Sequence, residues 1–245
     1  SETQGIDIVL AVDISGSMLS QDLQPNRMEA VKKVAAEFVT ERTNDNIGLV
    51  IFAGESFTQC PMTTDHKVLL NLLNEVDFGM IEDGTAIGLG LATSVNRLKD
   101  SQSKSKVVIL LTDGSNNRGQ IAPLTAADLA KSYGIRGYTI GAGTKGMAPT
   151  PVQTPYGIRM QNMPVDIDEE VLTNIADLTG GKYYRAVDNE SLRGIYREID
   201  QLEKYLISVE NVTRKQELFM PFALWALALV VIELILRRTW LRNIP

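Results

Sequence analysis

Five oxygen-bearing side chains stand where the chain could gather them around a hard cation. Asp13, Ser15 and Ser17 lie in the run Asp-Ile-Ser-Gly-Ser that ends the apolar stretch at residues 6–12. Thr85 closes the polar turn Glu82-Asp83-Gly84-Thr85, and Asp113 follows the apolar run at 107–111. Carboxylates and hydroxyls with no histidine or cysteine among them suit Mg²⁺ or Mn²⁺ and not zinc. Because Mg²⁺ keeps open positions for water or a partner's oxygen, the chemistry this set points to is binding through a metal.

The same residues admit other readings. Taken alone, 13–17 is equally a polar turn after a strand, with Asp13 capping the next helix. An aspartyl nucleophile at Asp13 beside Mg²⁺ would make a phosphoryl-transfer enzyme, but Ser15 occupies the place where such an enzyme needs a second acid. A scaffold with a vestigial metal site is a third reading. Cys60 and His66 are the single cysteine and histidine, so any nucleophilic Cys/His pair must use them. Pro61 and a helix cap at Asp65 intervene, and the expectation is that Cys60 packs as a small apolar residue while His66 sits exposed at a helix start. No GxxxxGK[ST] run is present; Gly84, Gly88 and Gly90 lack the spacing of a dinucleotide loop and fit close packing within a helix.

The donors need a frame, and the hydropathy pattern supplies one. Apolar runs of strand length alternate with amphipathic stretches of helix length, which predicts an α/β, Rossmann-like doubly wound and mostly parallel sheet. Strands are expected at 6–13, 47–53, 107–111, 137–140 and 182–185, and helices at 27–42, 66–76, from about Thr85, 124–133, 169–179 and 191–202. Residues 56–60 follow too closely for a crossover and should pair back as an antiparallel edge strand, ended by Pro61. The stretch 141–164 holds Pro149, Pro151, Pro155 and Pro164 and reads as a surface insertion, a hairpin turning at Tyr156 and Gly157. In an open parallel sheet ligands bind beyond the carboxyl ends of the strands, where Asp13 and Asp113 both emerge.

DISGSM, GTAIG and LTDG together resemble the metal-ion-dependent adhesion site of von Willebrand factor type A domains, carried by Asp13, Ser15, Ser17, Thr85 and Asp113. The resemblance covers residues 5–199. It implies that the hydroxyls coordinate the cation directly or nearly so, that the aspartates act directly or through water, and that a partner's Asp or Glu completes the octahedron. Within that family the chain is similar to the membrane-anchored Bat-type, BatA-like proteins of bacterial aerotolerance operons, through GLVIFAGESFTQCPMTTD at 48–65, IEDGTAIGLGLA at 81–92 and APLTAADLA at 122–130. That likeness implies partners among other Bat-type subunits and a MoxR-type AAA+ ATPase system.

At 245 residues and 44% apolar content the chain can bury one good-sized core, and a lone cysteine excludes an internal disulfide. A net charge of −6 without a basic stripe excludes a nucleic-acid partner. Residues 219–236 read FMPFALWALALVVIELIL with Glu233 as the one charge, a run able to span ~27 Å of bilayer. Arg237, Arg238 and Arg242 follow it, which on the positive-inside rule predicts a cytoplasmic carboxyl terminus and a periplasmic domain on a bacterial inner membrane. The resulting expectation is a metal-site domain at 1–205, a linker at 206–218, a transmembrane helix at 219–236 and a short basic tail. The chain begins at Ser1 without a signal-peptide pattern, so an export segment is expected to precede it.

Overall fold

The computed structural model describes residues 5–155, 157–217 and 219–239, with side chains at 5–155, 157–206, 222–234 and 236. Its centre is a six-stranded sheet in the order β3-β2-β1-β4-β5-β8, formed by β1 (Asp7–Asp13), β2 (Asn46–Phe52), β3 (Ser56–Thr63), β4 (Lys106–Thr112), β5 (Arg136–Ala142) and β8 (Tyr183–Ala186). All pairings are parallel except β2 with β3. Residues 7–13 and 106–112 are buried from their second position onward, which is what a central strand covered on both faces requires.

Side-chain alternation divides the core into two layers. Val9, Ala11, Val50, Phe52, Val108 and Leu110 pack with buried side chains of α3 (Ile87–Leu98), α4 (Pro123–Ser132) and α5 (Glu169–Thr179). The alternate residues Ile8, Leu10, Val12, Leu49, Ile51, Ile109 and Leu111 are equally buried. The stripe expected on α1 (Arg27–Thr40), made of Met28, Val31, Val34, Ala35 and Phe38, is buried throughout. Phe38 meets Tyr196 of α6 (Asn189–Glu217) with ring centroids 4.9 Å apart. Helix starts follow local chemistry: the Asn26 side chain accepts from the Glu29 amide of α1, and Asp65 accepts from the Lys67 and Val68 amides of α2 (His66–Asn74).

The insertion is a two-stranded ribbon, β6 (Met147–Thr154) and β7 (Gly157–Pro164), paired antiparallel from Met147↔Pro164 to Thr154↔Gly157. Tyr156, expected as a turning residue, lies outside the described residues.

Two expectations need correction. Pro61 does not end β3, which continues to Thr63 through an irregular register against β2; on an edge strand the missing N–H of an exposed proline costs no ladder bond. His66 is not a free side chain at a helix start: it is half-buried, with Nδ1 3.0 Å from the Arg42 carbonyl and Nε2 2.9 Å from that of Asp45. In the stretch 206–218, expected as a linker, the backbone is helical to Glu217 as part of α6, which leaves that expectation untested.

The chain divides into two units, 1–200 and 201–245. In the second, Phe219–Thr239 forms α7. Among the described residues no helix is long and apolar enough to cross a membrane, so the expected span at 219–236 has helical backbone without a membrane-length run of described side chains.

Candidate functional site

Strand order explains why the donors meet. From β1 the chain moves to β2 on one side and later to β4 on the other, so β1 and β4 flank the point where connections diverge, the place where open sheets of this kind leave a crevice. The register Val12↔Leu111 brings Asp13 and the 112–113 turn out side by side. The Thr112 hydroxyl donates to Asp13 Oδ2 at 2.6 Å, and the Ser15 amide donates to Asp13 Oδ1 at 2.8 Å. The Ser17 hydroxyl donates to Asp113 Oδ1 at 2.6 Å and lies 3.1 Å from Ser15 Oγ. Four of the five expected donors thus form one connected group.

Thr85 arrives from a third loop. Its amide donates to Asn117 Oδ1 at 2.9 Å and its carbonyl accepts from the Asn117 amide at 3.0 Å, while the Ala86 amide donates to the Ala53 carbonyl at 2.7 Å. It lines a cavity of about 330 Å³ together with Ser17, Arg27, Asp113, Thr150, Met163 and Val165, so three of the five donors open onto one cavity that ribbon residues also line, while the buried Asp13 and Ser15 connect to it through their hydrogen bonds.

Charge at this rim is unbalanced. Arg27, 2% exposed, donates from Nη1 to Asp113 Oδ2 at 2.7 Å, from Nε to Asp22 Oδ1 at 2.7 Å and from Nη2 to Asp22 Oδ2 at 2.7 Å. Asp13 and Asp113 are fully enclosed and the Asp22 side chain is 4% exposed. The guanidinium thus pairs with Asp22 and Asp113, while Asp13 takes its hydrogen bonds from Thr112 and the Ser15 amide. Burial, with the nearby Asp113 charge second, pushes the Asp13 carboxyl up to about 7 against the pull of its hydrogen bonds. Burial raises Asp113 as well, opposed by Arg27. Asp22 is held below the ordinary carboxylate range because its bonds to Arg27 and the Thr144 amide outweigh its burial. An all-oxygen donor set beside an excess of enclosed negative charge fits a hard divalent cation.

Four contributors escape a sequence reading. Asp22 and Thr112 hold Arg27 and Asp13, Asn117 fixes Thr85, and Asp83 Oδ1 accepts from both the Gly16 and the Gly84 amides at 2.9 Å, joining the first donor loop to the second. Arg27 carried one usable signal. It is a cation in the first turn of a helix, against the macrodipole, a place that calls for carboxylate partners.

A crevice at the β1/β4 divergence, with aspartates from both strands and hydroxyls from two loops, defines a class. Residues 7–198 match the von Willebrand factor type A domain family, and the chain belongs to it. Within that family it is of the Bat-like kind. It is similar to BatB from Bacteroides thetaiotaomicron, with 31% identity, a TM-score of 0.72 and coverage of 82% of this chain and all of that one. An aerotolerance-related membrane protein from Bacteroides fragilis is 30% identical with a TM-score of 0.71, over 80% of this chain and 98% of that one. A UPF0353 protein of Mycolicibacterium paratuberculosis is 31% identical over 212 residues, 79% of this chain and 59% of that protein. The chain thus spans about three-fifths of this last relative.

Proposed function

We propose that this chain is a non-enzymatic, cation-dependent protein-interaction module, in which Asp13, Ser15, Ser17, Thr85 and Asp113 hold Mg²⁺ or Mn²⁺ and a partner's Asp or Glu completes the coordination. The observation that carries this reading is the excess of enclosed carboxylate over guanidinium beside three neutral hydroxyls and an open cavity. Bound there, the cation supplies the positive charge that draws a partner carboxylate out of water. The hydroxyls matter because they add no negative charge of their own. Asp113 is already shared with Arg27, which leaves it a weaker competitor for the ion's charge than a free carboxylate.

A phosphoryl-transfer role for Asp13 finds no support in its surroundings. Ser15 stands where such an enzyme needs a second acid, and its hydroxyl lies 3.1 Å from that of Ser17.

The proposed setting is a bacterial inner membrane, with the domain periplasmic, residues 219–236 as anchor and the carboxyl terminus cytoplasmic. The apolar run, the arginines after it and the membrane character of the Bacteroides fragilis relative support it. Partners are then membrane or periplasmic proteins offering Asp or Glu, other Bat-type subunits and a MoxR-type AAA+ ATPase system among them.

Calorimetric titration with Mg²⁺ or Mn²⁺ tests the site. Saturable heat from the intact chain that is lost in Asp13→Ala supports the reading, and equal heat from both removes it. Labelling of a cysteine placed near residue 242 tests the topology: reaction from the periplasmic side in intact cells overturns it.

A further inference from the structure

Arg27 touches more than the donor rim. Its Nη1 holds Asp113 Oδ2, which leaves Oδ1 turned to Ser17, while Nε and Nη2 grip both oxygens of Asp22. Asp22 Oδ2 in turn accepts from the Thr144 amide at 2.8 Å and lies 3.1 Å from the Thr144 hydroxyl, three residues before the β6–β7 ribbon begins. The same loop touches the ribbon twice more: the Gln21 amide donates to the Pro149 carbonyl at 2.8 Å, and Ser20 Oγ lies 2.8 Å from Thr150 Oγ1. Gly143, at φ +147°, passes directly over the guanidinium, where a Cβ would stand 2.8 Å from Nη2. Only glycine fits both that backbone conformation and that approach. From the other side, Arg185 donates to the Gly143 and Thr144 carbonyls at 2.8 and 2.7 Å.

A planar fork with its donors in fixed directions can hold two carboxylates at a set separation, which an ammonium cannot. We propose that Arg27 is a positioning residue that couples the cation site to the β6–β7 ribbon. One arm of the guanidinium orients Asp113 toward the ion, and the other fixes Asp22 as the post to which the entrance of the ribbon is tied. The ribbon supplies Thr150 and Met163 to the cavity that Ser17, Thr85 and Asp113 also line, so this side chain contributes to the width of the opening a partner carboxylate would enter. The inference rests on the cation reading of the rim, and it adds a residue and a coupling that the five-donor motif does not contain.

The test uses the full chain in detergent, comparing wild type with Arg27→Lys and Asp22→Asn. Two quantities are measured: Mn²⁺ affinity by calorimetry, and hydrogen exchange of the backbone amides at 144–164, with the β4 amides as a control for general loosening. Side chains that orient a metal ligand from behind typically contribute 10–100-fold in affinity, so Arg27→Lys should weaken Mn²⁺ binding by about tenfold or more. Both variants should speed exchange in the ribbon while β4 keeps its wild-type rates. Asp22→Asn, which alters no ion donor, should also weaken Mn²⁺ several-fold, and it carries the test alone if Arg27→Lys does not fold. Wild-type Mn²⁺ affinity in both variants, or faster ribbon exchange in Asp22→Asn with affinity unchanged, overturns the coupling. Absence of Mn²⁺ heat from the wild type overturns the cation reading itself, and the coupling with it.

Discussion

The two walls of the cavity are built in opposite ways. The donor wall grows from β1 and β4, whose residues are buried almost end to end, and its carboxylates are fully enclosed. The ribbon wall grows from an insertion in which every residue of β7 is exposed, Ile158 71% and Met163 43% among them. The donors are fixed by the core of the sheet, while the β7 side of the ribbon is exposed, and on the proposed reading it is that side a partner would meet.

The contrast can be broken by substitution, beginning with the largest effect. Asp13→Ala should abolish the calorimetric signal for Mg²⁺ and Mn²⁺; retained heat would mean that the donor wall is not the ion's site. Leu110→Ala, under that wall, should lower unfolding stability by about 2–5 kcal/mol in urea titration, the usual cost of an enclosed leucine cavity. Gly88→Ala should lower it by about 1–3 kcal/mol, because a Cβ there would meet the Ile121 carbonyl oxygen at 1.9 Å and force α3 away from the 121–122 backbone. Asp65→Ala, which removes two amide partners at the start of α2, should cost about 1 kcal/mol. Ile158→Ser on the ribbon should stay within about 0.5 kcal/mol of wild type, and a loss comparable to Leu110→Ala would show that the two walls share one core.

The legibility of the sequence follows the same division. β1 and β4 could be read because full burial on both faces produces unbroken apolar runs, and the ribbon because prolines and glycines mark chain that cannot join the sheet. Asp13 and Asp113 could be placed side by side because neighbouring strand ends in a parallel sheet share an edge. What could not be read depends on contacts between distant residues. Arg27 and Asp113 are 86 positions apart, and nothing local distinguishes Arg27 from any charged residue opening a helix except its misfit with the dipole. Pro61 has the strand-ending character that a central position would enforce, and only its place on the sheet edge lifts that. His66 takes its two carbonyl partners from a loop more than twenty residues earlier, which no periodicity encodes.

Asp83 carries a consequence for how fast and at what entropic cost the site can act. By accepting from the amides of Gly16 and Gly84 with a single oxygen, it clamps the Asp13–Ser17 loop to the Thr85 loop before any ion arrives. The ordering of those loops is then completed when the chain folds, and little of it is left to oppose capture of the cation. On the proposed cation reading, the ion would meet a backbone already in place.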